Sequence, residues 1–333
     1  MRISGEAEWI RRLTEVLGAA AEFPEGQGIG DDAAILAADG DAWAWTIDTL
    51  VEGVHFRFDW LDPEAVGHRA LAASLSDLAA RGARPAGALV TAAGPPPTLA
   101  ARLEGVYRGV AGLARSAGCP ILGGDLSRAE GALHLTVTAL GRCASGPPLL
   151  RSGARPGDAL WVTGALGAPA AALALLETGV PMPGARAPGA YERLARPQPR
   201  NREVEWLRER AELSAAIDIS DGLSSDAHHM ARASGVQIAI DPGRLPLHPS
   251  AREAARRLGR EALDWALHGG EEFEILFAAP PGTIEPHQGL FAEALAVPLT
   301  RIGSVARGQD VVLVRDGSAE PLAPGGWDHF DER

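Results

Sequence analysis

The 333-residue chain is expected to fold as an α/β protein of the α+β type, built from two domains. Three observations predict this. The length is about twice the ~150 residues of a common domain. Strand-like and helix-like segments mix through both halves, which predicts layered sheets and helices. A stretch rich in glycine and proline, SGPPLLRSGARPGD (145–158), reads as a linker near the middle. The expected domains are therefore residues 1–148 and 149–333.

Taken in order, residues 1–20 read as a helix, with Trp9, Ile10, Leu13 and Leu17 at helical spacing. AWAWTIDTLVEGVHF (42–56) alternates and reads as a strand running into a loop. Residues 62–81 form a helix with strong signals: Asp62 as N-cap, Pro63 in the first turn, Gly82 after the end. PAGALVTAAG (85–94) is a strand, 98–118 a helix ending at glycine, and PILGGD and GALHLTVTALGR are strands. In the second half ALWVTG, SAAIDIS, VQIAID, EEFEILFAA and VVLVRDG read as strands. APAAALALLETG, SSDAHHMARASG and EALDWALHGG read as helices.

Composition narrows the chemistry. The hydrophobic fraction is 46% and the charged fraction 22%, as in soluble globular proteins. No apolar run approaches the roughly 20 residues of a membrane helix. The N-terminal residues lack a signal-peptide apolar region, so a cytoplasmic protein without a membrane partner is expected. A net charge of -12 argues against a nucleic-acid partner, although an acidic protein still binds anions where metal ions mediate. Cys119 and Cys143 have no metal-like spacing and are expected as reduced thiols. There is no lysine: all 31 basic residues are arginine. That excludes a Walker-A loop, a protein-kinase site and Schiff-base chemistry.

The informative residues are acidic. Asp31 and Asp32 in GIGDDAAIL, Asp48 in TIDT, Asp77 in SLSDLAA, Asp125 in LGGD, and Asp218 and Asp221 in IDISDG lie within or against apolar segments. Turn or helix capping explains any one of them alone; the recurrence is harder to explain so. On helix 62–81, Leu71, Leu75 and Leu78 make a core stripe. Ala70, Ala73, Ser74 and Asp77 make a second, small-sided stripe, open either to a charged group or to another helix. Asp218 and Ser220 point the same way from a strand, and Asp221-Gly222 turns the chain into a helix whose N-terminus favours anions. Adjacent carboxylates are disfavoured unless a positive charge accompanies them. Clustered carboxylates are hard oxygen ligands that suit Mg²⁺ shared with phosphates. ILGGD places two glycines before Asp125, where backbone N–H groups have room to approach a phosphate closely. VTGALG reads as either a tight turn or a phosphate loop, and LHGGEEFEIL as a pocket rim. His228-His229 reads as helix surface.

Nine blocks in order, GIGDDAAIL, TIDTLVEGVHF, SLSDLAARGARP, LGGDLSR, RSGARPGD, VTGALG, IDISDGLSSD, LHGGEEFEIL and GGWDHF, run from residue 28 to 330. Together they resemble the thiamine-monophosphate kinase family, of the AIR synthetase-like (PurM-like) superfamily. The resemblance implies ATP-dependent phosphorylation of thiamine monophosphate to thiamine diphosphate, with several Mg²⁺ ions. Asp32, Thr46, Ile47 (through its backbone), Asp48, Asp77, Asp125 and Asp218 would hold Mg²⁺, and Asp221 a further ion. Tyr107, Gly124, Asp125, Arg151 and Ser220 would bind ATP; His55, Glu271 and Trp327 would contact the substrate. For His55 a structural role, and for Trp327 a hydrophobic plug, are the alternatives. The implied fold has an N-terminal domain that pairs with its twofold mate into a shared β-barrel, a C-terminal α/β domain, and a homodimer. GGEEFE stands where the family pattern has GGEDYE, and GVHF where it has GNHF. Neither departure removes an implied metal ligand. Selenophosphate synthetase-like relatives would need a reactive Cys and Lys near the start, hydrogenase-maturation relatives a cysteine-bearing tail, and AIR synthetase-like enzymes lack GGWDHF. A non-catalytic Mg-nucleotide-binding protein would keep the acidic blocks.

Overall fold

The computed structural model describes residues 6–17, 26–27, 29–38, 41–143, 146–179 and 189–327. Gly28, Ser145, Asp328 to Phe330 of GGWDHF, and both ends of the expected first helix lie outside the described residues.

The first half contains α1 (Glu6–Leu17), β1 (Gly26–Gln27), β2 (Ala34–Ala38), β3 (Asp41–Val51), α2 (Pro63–Ala80), β4 (Arg84–Gly94), α3 (Pro96–Ala117), β5 (Ile121–Arg128) and β6 (His134–Cys143). Its strands form one open sheet, β1-β2-β3-β6-β4-β5, antiparallel apart from the β4–β5 pair. The second half contains β7 (Ala159–Thr163), α4 (Ala168–Thr178), α5 (Ala190–Ala195), α6 (Asn201–Arg208), β8 (Ala215–Asp218), α7 (Leu223–Ser234) and β9 (Gln237–Ile240). It continues through α8 (Pro249–Leu258), α9 (Ala262–His268), β10 (Ile275–Ala279), α10 (Gln288–Leu295), β11 (Leu299–Ala306), β12 (Val311–Arg315) and β13 (Ser318–Pro321). These strands order as β13-β12-β9-β11-β7-β10-β8, antiparallel apart from β9–β12.

Helix α2 joins the two sheets. It begins as its sequence predicts: the Asp62 carboxylate accepts the Ala65 N–H at 2.7 Å, and Pro63 opens the first turn. Leu71, Leu75 and Leu78 are fully buried in one core with Leu135 and Val137 of β6. Each such leucine contributes about 1.5–3 kcal/mol. Helix α3 packs against α2 with backbones in close approach: a Cβ on Gly67 would fall 1.8 Å from the Val106 carbonyl oxygen, and one on Gly109 equally close to that of Glu64. On its remaining flank α2 reaches the second sheet, where Ser76 Oγ donates to Asp218 at 2.7 Å.

Strands β7 and β10 are buried along their whole length. Their sequences, ALWVT and ILFAA, are continuous apolar runs, as a strand covered on both faces requires. The expected strand EEFEILFAA starts only at Ile275. Glu271 and Phe273 adopt φ values of 64° and 50°, and that left-handed backbone cannot continue a strand. The expected linker has neither helix nor strand over its described residues, but it is not a loose tether. Leu149 and Ala154 are buried, the Leu149 N–H donates to the Arg81 carbonyl at 3.1 Å, and the Leu150 carbonyl accepts from Ala216 at 2.9 Å. Cys119 and Cys143 are free and buried. Among the described residues no helix is long and apolar enough to cross a membrane.

Candidate metal and nucleotide site

The cleft forms where α2 lies between β3 and β8. Strand alternation turns Thr46, Asp48 and Leu50 toward the helix and Trp45 and Ile47 away from it. Asp77 therefore meets Thr46, whose hydroxyl donates to its carboxylate. Ser74, one turn earlier, donates to Asp48 at 2.7 Å, and Ser76 holds Asp218 at the end of β8. One oxygen each from Asp32, Asp77 and Asp218 lies within 4.8 Å of the other two. Three sequence-distant acids thus converge, with Asp48 beside them. The small-sided stripe of α2 is only partly open: Ala70 and Ser74 are buried, while Ala73 and Asp77 are half-exposed.

The electrostatics separate these acids into two kinds. Burial raises Asp77 well above the ordinary carboxylate range, and neighbouring Asp48, Asp218 and Asp32 raise it further. Burial and the charge of Asp32 bring Asp218 to about 7, against the opposing Ser76 bond. Burial raises Asp48 too, partly offset by Ser74. Hydroxyls are the polar partners of these three carboxylates in the cleft. Asp31 and Asp32, by contrast, have arginines. Arg81, fully buried at the end of α2, pairs with both, and Arg151 donates through Nε to Asp32 Oδ1 at 2.7 Å. The positive charge expected beside the adjacent aspartates is therefore protein-derived in the first instance, which sequence reading assigned to metal. Burial raises Asp31 although Arg81 opposes it.

Oxygen donors of this kind, partly to fully buried and with no arginine in ion-pair contact among the described residues, fit a hard divalent ion such as Mg²⁺. Asp32 is already engaged on both oxygens, so it joins such a site only by sharing or exchanging an arginine.

The expected substrate contacts gather just beyond that same end of β8. The Glu271 N–H donates to Ser220 O at 2.6 Å, and the Trp327 N–H to Asp221 O at 3.1 Å. The Trp327 side chain is half exposed. His55 Nδ1 accepts the Val51 N–H at 3.0 Å. Buried Arg69 donates to the His55 carbonyl at 3.2 Å and pairs with the Glu271 carboxylate. Arg69 and Arg81 were not anticipated. Their signal was an arginine within an Ala/Leu-rich helix, which reads as a solvated face unless buried acids await it. Asp226 was also missed. It is buried, accepts the Gly222 N–H at 3.1 Å, and lies well above the usual carboxylate range through burial, Asp221 and Asp218. One donor of the α7 N-terminus is thus already taken. His229, expected on a surface, is half-buried, and burial together with Arg151 lowers it to about 4.

Three expected ATP contacts stand apart. Asp125 shares a sheet row with Thr91, Thr136 and Thr49, whereas Asp48 shares its row with Val137 and Val90. Asp125 therefore points from the face opposite Asp48, with two strands intervening and about 14 Å of sheet between them. It is exposed and accepts from Ser127 at 2.6 Å. Tyr107 donates to Val90 O at 3.2 Å, next to Gly124, where a Cβ would fall 1.8 Å from the same oxygen. Ile47 is exposed on the outer face.

Among the described residues an open six-stranded sheet and a second seven-stranded sheet bring aspartates together between them, and the chain that builds them is an AIR synthase related protein. The family models for that group's N-terminal and C-terminal domains match residues 30–143 and 155–316. Thiamine-monophosphate kinase of Escherichia coli (strain K12) is 39% identical over 310 residues, covering 91% of each chain. That of Bacillus subtilis (strain 168) is 36% identical over 312 residues, covering 91% of this chain and 93% of its own. The chain belongs to the thiamine-monophosphate kinase family. A solved structure described as AaThiL complexed with AMPPCP and TMP superposes with a TM-score of 0.86 at 31% identity, covering 99% of both chains. Hydrogenase maturation protein HypE, 23% identical with a TM-score of 0.71, shares the fold alone.

Proposed function

We propose that the protein transfers the γ-phosphoryl group of ATP to the phosphate of thiamine monophosphate, forming thiamine diphosphate and ADP. The observation that carries this is the Asp32–Asp77–Asp218 convergence, with no arginine in ion-pair contact at two of its members among the described residues, beside a rim of His55, Glu271 and Trp327. The family relationship supports it, and so does the relative solved with AMPPCP and TMP.

The new bond joins an acceptor phosphate oxygen to the γ-phosphorus, and the bond to the β–γ bridging oxygen breaks. The attacking oxygen is already anionic, so no protein nucleophile is required; positioning and charge neutralisation carry the barrier. Asp32, Thr46, the Ile47 carbonyl, Asp48, Asp77, Asp125, Asp218 and Asp221 would hold Mg²⁺. When bound, Mg²⁺ neutralises the phosphates and polarises them toward transfer. Arg151 offers a planar guanidinium that can exchange Asp32 for nucleotide phosphate. Ser220 lies on the backbone turn beneath Glu271 and Trp327. Trp327, half exposed, offers a ring face to the flat substrate rings.

The protein acts in this reading as a homodimer, with domains 1–148 and 149–333. The outer face of the first sheet carries exposed Trp45, Ile47 and Leu89, and edge strand β5 exposes Leu122 and Leu126. Among the described residues this apolar face is exposed and β5 ends the sheet; such a face beside a sheet edge favours pairing with a second copy, and a shared barrel satisfies both. Pairing would also give Asp125, Gly124 and Tyr107 a site to serve, because within one chain they do not reach Asp48.

Incubation with ATP, Mg²⁺ and thiamine monophosphate should yield thiamine diphosphate. Absence of that product, with free thiamine or an aminoimidazole ribonucleotide precursor turned over instead, would overturn the assignment.

A further inference from the structure

Arg81 has no place in the roles implied by the family, yet it is among the largest fully buried side chains of the molecule. Its guanidinium spans both members of the aspartate pair, Nη1 on Asp31 and Nη2 on Asp32. Nη2 also donates to the Ala216 carbonyl of β8 at 2.8 Å, so one arginine ties α2, the loop before β2 and the second sheet together. Arg151, the other cation on Asp32, is partly exposed and sits in a loop. Of the two, Arg151 is free to exchange and Arg81 is not.

The charges sum simply. Asp31 and Asp32 are matched by Arg81 and Arg151, whereas Asp48, Asp77 and Asp218 meet hydroxyls in the cleft. One guanidinium, hydrogen-bonded to Asp32 and in ion-pair contact with Asp31, supplies positive charge to both carboxylates as a bridging cation would.

We infer that Arg81 serves as a built-in cation for the Asp31–Asp32 pair, occupying the place a divalent ion would otherwise take there. The inference rests on the metal-assisted reading proposed above.

The test counts metal rather than product. Mn²⁺ replaces Mg²⁺, and bound ions per chain are read by electron paramagnetic resonance alongside melting curves in chelator and in saturating Mn²⁺. In R81Q the pair loses its internal cation. The variant should melt below the native chain without metal, and the gap should narrow as Mn²⁺ rises. It should also bind one ion more, or bind its first ion about tenfold tighter, as expected for one positive charge removed a few ångströms away. R81K keeps the charge and should show the native count; it carries the test if R81Q does not fold. An unchanged gap with an unchanged or smaller count in R81Q overturns the inference, as does an extra ion in R81K. A native chain that binds no Mn²⁺ removes the metal-assisted reading first and the inference with it.

Discussion

Glu274 and the aspartates of the cleft lie at the same end of the β8–β10 pair, and the protein treats them differently. Glu274 is fully buried at the start of β10. Burial pushes its carboxyl up, but Arg200 and Arg193 outweigh burial and hold it below the ordinary range. Arg200 grips it through two nitrogens at 2.6 and 2.7 Å, Arg193 adds a third contact at 2.7 Å, and Thr163 a hydroxyl at 2.6 Å. Asp218 is as deeply buried, Asp48 and Asp77 are partly buried, and all three receive hydroxyls. With 31 arginines in the chain, cations were not scarce. A buried carboxylate left without one costs stability, and that cost is understandable where the missing charge arrives from outside. Glu274 reads as architecture and the aspartate cleft as a receptor for cations.

Four predictions press on this contrast, largest first. Asp77→Asn should lower turnover about a thousandfold, the scale of losing a principal electrostatic group in phosphoryl transfer. In chelator its melting temperature should equal or exceed the native value, because an uncompensated charge is gone. Near-normal turnover, or a lower melt without metal, would make the cleft as structural as Glu274.

Glu274→Gln should do the reverse. It removes the anion that Arg200 and Arg193 share, leaving Arg200 its contact with Glu203, and should cost about 3–5 kcal/mol in urea unfolding. Activity per folded molecule should persist. A full loss of turnover at native stability would place Glu274 in the chemistry.

The pH dependence follows from the raised carboxyls. Asp218 sits at about 7 and Glu272, through burial, at about 8 despite Arg193. Both exceed their unfolded values near 4, so the folded state binds more protons between pH 4 and 8. Stability from these groups is then present at low pH and lost as pH rises through 7 and 8. Metal-free protein should melt higher at pH 5.5 than at pH 8.5. Saturating Mg²⁺ should remove the Asp218 part of that slope and leave the Glu272 part, since Glu272 lies against Gly167 rather than in the cleft. An identical slope with and without Mg²⁺ would separate Asp218 from metal.

Ser74→Ala should show the smallest effect. It deletes the hydroxyl on Asp48 and should weaken Mg²⁺ binding by about tenfold, within the range for an outer partner of a ligand. Calorimetric titration reads this directly; no change would mean that Ser74 serves packing alone.

Much of the fold was legible. Helix α2 carries its own start signal in Asp62-Pro63, α3 its glycine stop, and the buried strands β7 and β10 their unbroken apolar runs. What escaped were elements whose pattern is short or mixed. Helices α5 and α6 lie in an arginine- and proline-rich stretch, α8 is largely polar, and the first four residues of EEFEILFAA leave the strand through two left-handed backbones. A sequence window shows alternation but not φ.

For the site, the chain's order of residues determined which groups are present: aspartates in apolar settings, no lysine to serve phosphate, and an acidic excess that calls for metal. Local periodicity even set which way Asp48 and Asp77 face. Tertiary structure alone decided the pairings. Whether an aspartate is neutralised depends on which arginine folding brings within a few ångströms, and Arg81, Arg69 and Arg200 come to their acids from 49, 202 and 74 residues away. Coulomb energy depends on distance in space and on burial, and neither is a property of position along the chain.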